Sequence, residues 1–69
     1  MRAIIRLDDQ NHETREKSIK LVTIFGNVYA PKSVIKVTGD IITVPMWVFD
    51  KKELNPCQMV TGFIGMEEA

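Results

Sequence analysis

The sequence predicts a mainly β domain of the α+β kind: a small antiparallel sheet or partly open barrel of four to five strands, with one short helix near residues 45–54. Three observations carry this reading. Apolar side chains alternate with a period of two through residues 18–25 and, more loosely, through residues 2–7. Gly39-Asp40 stands between two β-rich runs, a strong short hairpin signal. Only the segment that opens at Pro45 carries apolar residues at helical spacing.

Each element follows from its residues. In residues 2–7, Ala3, Ile5 and Leu7 share one face of a strand, and Arg2, Ile4 and Arg6 the other. Residues 8–17 hold no aliphatic side chain and read as a long polar hairpin connection. In residues 18–25, Ile19, Leu21, Thr23 and Phe25 face one way and Lys20, Val22 and Ile24 the other. β-branched and aromatic residues suit such a pleated surface. Gly26-Asn27 then marks a tight turn, and Pro31 holds Ala30 in extended geometry. Residues 34–38 and 41–44 form the hairpin around Gly39-Asp40. Pro45 fits a first helical position, with Trp47, Val48, Lys51 and Leu54 on one face, and Asn55-Pro56 ends the helix. Residues 58–66 read as a last strand in which Gly62 and Gly65 predict a bulge or an edge position. A frayed end follows at residues 67–69.

Size and charge bound the function. The 69 residues make one domain, 1–69, with a thin core. One cysteine excludes an internal disulfide. Nine basic side chains against nine acidic ones argue against an unspecific polyanion binder. The balance hides a split. Residues 1–36 hold seven basic side chains (Arg2, Arg6, Arg15, Lys17, Lys20, Lys32, Lys36) and four acidic ones, so the remainder carries the acidic excess. Ala3-Ile4-Ile5 is too short for a signal-peptide core, and no apolar run approaches the roughly 20 residues of a membrane helix. The expected setting is cytoplasmic, away from membranes.

Chemistry finds little purchase. His12 lies in the polar connection as a solvated histidine, and Cys57 reads as a small, buried or half-buried apolar residue. Two Cys/His residues 45 positions apart do not make a zinc site. Asp8-Asp9 reads as a turn, and no glycine-rich loop enters a helix to cradle phosphate. The expectation is a non-enzymatic protein with no cofactor and no metal. Two binding modes remain. An excess of apolar residues predicts self-association as a homo-oligomer and a protein-binding surface, with candidate interface residues Tyr29, Met46, Trp47, Phe49 and Phe63. Alternatively, single-stranded nucleic acid is held by Tyr29 with Arg2, Arg6, Lys20, Lys32 and Lys36, an aromatic among bases as small β-domains use it.

One stretch carries a resemblance: Val28-Tyr29-Ala30-Pro31-Lys32-Ser33-Val34-Ile35-Lys36, then Gly39-Asp40-Ile41-Ile42-Thr43-Val44-Pro45, then Trp47 and Lys51-Lys52-Glu53-Leu54. This resembles small phage and prophage β-proteins with a Pro-Lys-Ser … Thr-Val-Pro-x-Trp pattern. The resemblance implies an accessory protein of a bacterial or phage-infected cell, encoded near genes for DNA recombination or replication, with no established activity. Met46 stands where that pattern commonly has an acidic residue. Gly26-Asn27, Pro31-Lys32 and Gly39-Asp40 are also similar to swapped-hairpin antitoxins of the AbrB and MazE type. Only Val37-Thr38 separates Lys36 from Gly39, which leaves no room for their helix.

Taken together these readings predict a phage-type accessory protein that acts by binding a protein partner and itself. A single-strand nucleic-acid module in phage DNA recombination or replication is the alternative.

Overall fold

Strict alternation of burial builds the molecule, seen in a computed structural model that describes residues 1–68. In β1 (Arg2–Arg6) Ala3 and Ile5 are fully buried while their neighbours face outward. The same period holds in β3 (Ser18–Thr23), where Ile19, Leu21 and Thr23 point inward, and in β6 (Ile41–Pro45), where Ile42 and Val44 do. With β2 (His12–Thr14), β4 (Gly26–Pro31), β5 (Lys36–Thr38) and β7 (Phe63–Glu67) the described residues form seven strands, all in antiparallel pairs. They form two sheets, ordered β5-β6-β1-β7 and β2-β3-β4. Ala3, Ile5, Ile42 and Val44 of the first sheet share one core with Ile19, Leu21, Val28 and Ala30 of the second. The mainly β class with one short helix is as predicted, as an open pair of sheets. Because β1 lies between β6 and β7, the basic and acidic parts of the chain interleave. No helix among the described residues is long and apolar enough to cross a membrane.

The Gly39-Asp40 hairpin joins β5 to β6 as predicted, with Gly39 at a φ of +62°. Glycine meets that requirement without the strain another residue would carry. The bulge and edge predicted from Gly62 and Gly65 are both present. The β1–β7 register slips between Ile4, which faces Gly65, and Ile5, which faces Phe63, and β7 is the sheet edge.

Four local expectations are corrected. Residues 8–17 are not all connection, because β2 pairs with β3 through His12–Leu21, Glu13–Lys20 and Thr14–Ile19. An edge strand needs only backbone partners, so it leaves no hydrophobic trace. The turn after β3 falls at Ile24-Phe25, two residues early. The Thr23 hydroxyl donates to the Gly26 carbonyl at 2.7 Å and accepts from the Phe25 N–H at 3.3 Å, closing the loop from its first corner. Phe25 therefore sits on the tip and not on the inward face of β3.

The helix is also displaced. Pro45 closes β6 opposite Arg2, and α1 (Trp47–Asp50) is a single turn that ends as Glu53 takes a φ of +56°. This start turns Val48 and Phe49 inward, leaving Lys51 exposed and Trp47 partly so. Finally, residues 58–62 are not strand. Pro56–Gln58 form a 3₁₀ turn capped by Asn55, whose side chain accepts from the Cys57 N–H at 2.9 Å. Pro56 takes the buried place in that turn and Cys57 is exposed, contrary to expectation.

A polar knot fixes the end of the sheets where β1 leaves for β2. Asn11 is fully buried. Its amide donates to the carbonyls of Arg6 at 2.8 Å and Thr61 at 3.2 Å, and its side-chain oxygen accepts from the Asp8 N–H at 2.9 Å. Gly62 packs so closely that a Cβ there would lie 2.1 Å from the Arg6 carbonyl oxygen. Asp8 makes the predicted turn and accepts from the Thr61 hydroxyl at 2.6 Å and from the N–H groups of Gln10 and Asn11. The Thr61 bond, then the backbone bonds, hold its carboxyl below the ordinary aspartate range.

Candidate nucleic-acid interface

The outer face of the β2-β3-β4 sheet gathers charge around one aromatic ring. Alternation with buried Ile19 and Leu21 turns Lys20 outward, and alternation with Val28 and Ala30 does the same for Tyr29. The register places them side by side, with Glu13 on the far side of Lys20. Tyr29 is 43% exposed. The Arg15 guanidinium lies 5.4 Å from its ring centre and the Lys52 ammonium 5.1 Å, both within cation–π range. Lys52 also donates to the Asn27 carbonyl at 3.3 Å, which draws the end of the helical segment onto β4.

A second ring continues the surface. Trp47, 44% exposed, lies one helical turn before Lys51, whose ammonium is 4.9 Å from the indole centre. Lys51 and Lys52 are consecutive, so a pair of lysines spans from one exposed ring to the other. At the opposite end of the β3–β4 ladder the Lys32 N–H donates to the Lys17 carbonyl at 2.9 Å, bringing two more basic residues together.

Glu13 is the counterweight. It accepts from Lys20 at 3.2 Å and pairs with Arg15 at 3.3 Å. The Lys20 hydrogen bond, then the charges of Lys20 and Arg15, hold its carboxyl below the usual glutamate range. All three groups reach solvent, so the pairs add little stability and open readily for an incoming anion.

The residues singled out from sequence divide cleanly. Of the nucleic-acid set, Lys20, Tyr29 and Lys32 belong to the three-stranded sheet. Arg2 and Arg6 alternate with buried Ala3 and Ile5 and so lie on the outer face of the other sheet, with Lys36 on its edge strand β5. Arg6 there approaches Asp40 at 3.9 Å. Of the interface set, Phe49 is corrected outright. It is fully buried, because a core this thin needs its largest side chain inside. Met46 and Phe63 are half-buried against the core, and only Tyr29 and Trp47 are open to a ligand. Sequence reasoning missed Arg15, Lys51 and Lys52. The i,i+4 spacing of Trp47 and Lys51 was the available signal, once Trp47 is placed outward.

The chemistry candidates stay apart. His12 is half-buried on β2, not in a loop, with Nδ1 3.1 Å from the Asn11 side-chain oxygen. Among the described residues no group of three His, Cys, Asp or Glu side chains is placed to hold a metal ion.

No family model, curated protein or solved structure matches the chain.

Proposed function

We propose that this chain is a non-enzymatic module that holds single-stranded nucleic acid on the Tyr29–Trp47 face. The supporting observation is the pairing of two exposed rings with cations at each: Arg15 and Lys52 at Tyr29, Lys51 at Trp47. Stacking a base on such a ring contributes about 1–3 kcal/mol, and the surrounding cations track the phosphates. A duplex keeps its bases stacked on each other and offers the rings nothing, so a single strand is the fitting ligand. To admit a base, Lys52 or Arg15 swings off the Tyr29 ring and moves to a phosphate, exchanging a cation–π contact for an ion pair.

The molecule as a whole is neutral, so attraction rests on the local cluster of cations at this face, and binding is modest and sensitive to salt. A phage-type accessory role in DNA recombination or replication, which the Pro31-Lys32-Ser33 resemblance implies, agrees with this ligand. Fluorescence anisotropy with a labelled oligothymidine at low salt tests the proposal. Saturable binding that a matching duplex does not compete away is expected; no saturable binding refutes it.

A protein partner is the second reading, favoured by a different surface. Ile24 and Phe25 project from the β3–β4 turn at 63% and 69% exposure, with exposed Val60 beside them through its N–H bond to the Val22 carbonyl. Phe25→Ser leaves oligonucleotide binding unchanged if the two surfaces work separately.

A further inference from the structure

Among the described residues α1 packs against β4 and β6 from the core side, with Val48 and Phe49 in the core, and leaves the outer face of the β5-β6-β1-β7 sheet open. Ile4 and, beside it on β6, Ile41 and Thr43 are half-buried there and floor a depression of about 230 Å³. Gly65, level with Ile4, has nothing within 4 Å of where its Cβ would stand, which keeps that side open. Charge sits on opposite rims, Lys36 on edge strand β5 and Glu67 on edge strand β7, with Arg2 and Arg6 between them on β1 and Arg2 level with Glu67. Neither Lys36 nor Glu67 has an ion-pair partner among the described residues.

We infer that this face is where two copies of the chain meet, back to back, about a two-fold axis that runs along the strands between β6 and β1. Such an axis exchanges the two edges of the sheet. Each Lys36 then lies over the partner's β7, within side-chain reach of the partner's Glu67, and the contact occurs twice. The same operation exchanges residues that are neighbours in register. Because Ile4 faces Thr43, Arg2 faces Pro45 and Arg6 faces Ile41 across β1 and β6, Ile4 packs over the partner's Thr43, and the arginine stems lie over the partner's Pro45 and Ile41. No basic residue is set over another. An axis across the strands through the middle of β1 fails that test, because Lys36 shares the row of Ile4 and Thr43 there and is set over its own copy. Charge complementarity thus selects both the occupant and the symmetry.

The face is about 19 Å across four strands and about 17 Å along five residues. That is less than the roughly 800 Å² per partner of a standard interface, so the dimer is a weak one. Neither Lys36 nor Glu67 belongs to the Tyr29–Trp47 face, so this inference stands apart from the nucleic-acid proposal.

Sedimentation velocity from roughly 10 µM to roughly 1 mM tests it, a range that brackets such weak association. The wild-type chain passes from monomer to dimer. Lys36→Glu alone and Glu67→Lys alone each weaken dimerisation by about tenfold or more, and the double exchange restores it. Both side chains are exposed, and circular dichroism verifies that the variants fold. A chain that stays monomeric throughout, a dimer indifferent to the single reversals, or a double exchange no better than the singles overturns the inference.

Discussion

Lys52 holds its ammonium 5.1 Å from the centre of the Tyr29 ring while donating to the carbonyl of Asn27, 25 residues earlier in the chain. One side chain thus fastens the end of the helical segment to β4 and sets a positive charge at the exposed ring on the outer face of the three-stranded sheet. Lys51 likewise sets a charge at Trp47, and the two consecutive lysines link the two rings.

Glu13 neutralises part of that surface by pairing with both Lys20 and Arg15. Glu13→Gln frees both cations without changing the shape of β2. Tighter oligonucleotide binding is expected, with a salt dependence steeper by about one phosphate contact. Weaker binding in an anisotropy titration would place the ligand elsewhere.

The burial of Phe49 separates a core role from an interface role. Phe49→Ala removes the largest fully buried side chain and costs about 3–5 kcal/mol. A domain of this size has about 0.05–0.15 kcal/mol of stability per residue, so the loss takes a large share of the total and the urea midpoint falls steeply. An interface residue would leave the urea midpoint near the wild-type value.

Asn11 predicts an equally large effect from a polar residue. Asn11→Ala strands the carbonyls of Arg6 and Thr61 and the N–H of Asp8. These groups are part-buried, so each left without a partner costs about 1 kcal/mol, the low end for stranded groups, and the three together lower the melting temperature by more than about 10 °C. An unchanged melting temperature would show that water replaces the amide at no cost.

Acid tests the same corner. Asp8 and Glu13 both have carboxyls held below their ordinary values, so their contributions are present at neutral pH and at any pH above the unfolded-state range. They are lost as pH falls through the lowered folded-state values, because the unfolded chain then takes up protons first. The melting temperature is therefore flat between about pH 5 and 7 with respect to these groups and declines below about pH 4. In Asp8→Asn the decline is shallower, and a decline as steep as in the wild type would remove Asp8 from this account.

Local signals in the chain were legible and remote ones were not. Alternation from Ile19 to Thr23 and the Gly39-Asp40 pair act within a few residues, so the β3 strand and the β5–β6 hairpin read directly from them. Asn11 falls within the stretch 8–17 that reads only as a polar connection, because its partners include Thr61, 50 residues away, and nothing local marks an amide for burial. The helix phase turned on Pro45, which is compatible with both a strand end and a helix start. Pairing with Arg2 chose the strand, and that choice rotated Phe49 inward and Trp47 outward. Tyr29 was legible as an aromatic beside a basic residue, Lys32. The cations nearest its ring, Arg15 and Lys52, come from other segments and meet only through the fold.

The central claim is that Tyr29 and Trp47 act together as stacking platforms for a single strand. The measurement that tests it most directly is the dissociation constant for a labelled oligothymidine, compared among wild type, Tyr29→Ala, Trp47→Ala and the double variant. Each single change is expected to weaken binding by about 5- to 150-fold, the equivalent of about 1–3 kcal/mol per stacked base, with the double variant weaker than either. Wild-type affinity in both single variants, in chains that melt where the wild type does, would contradict it.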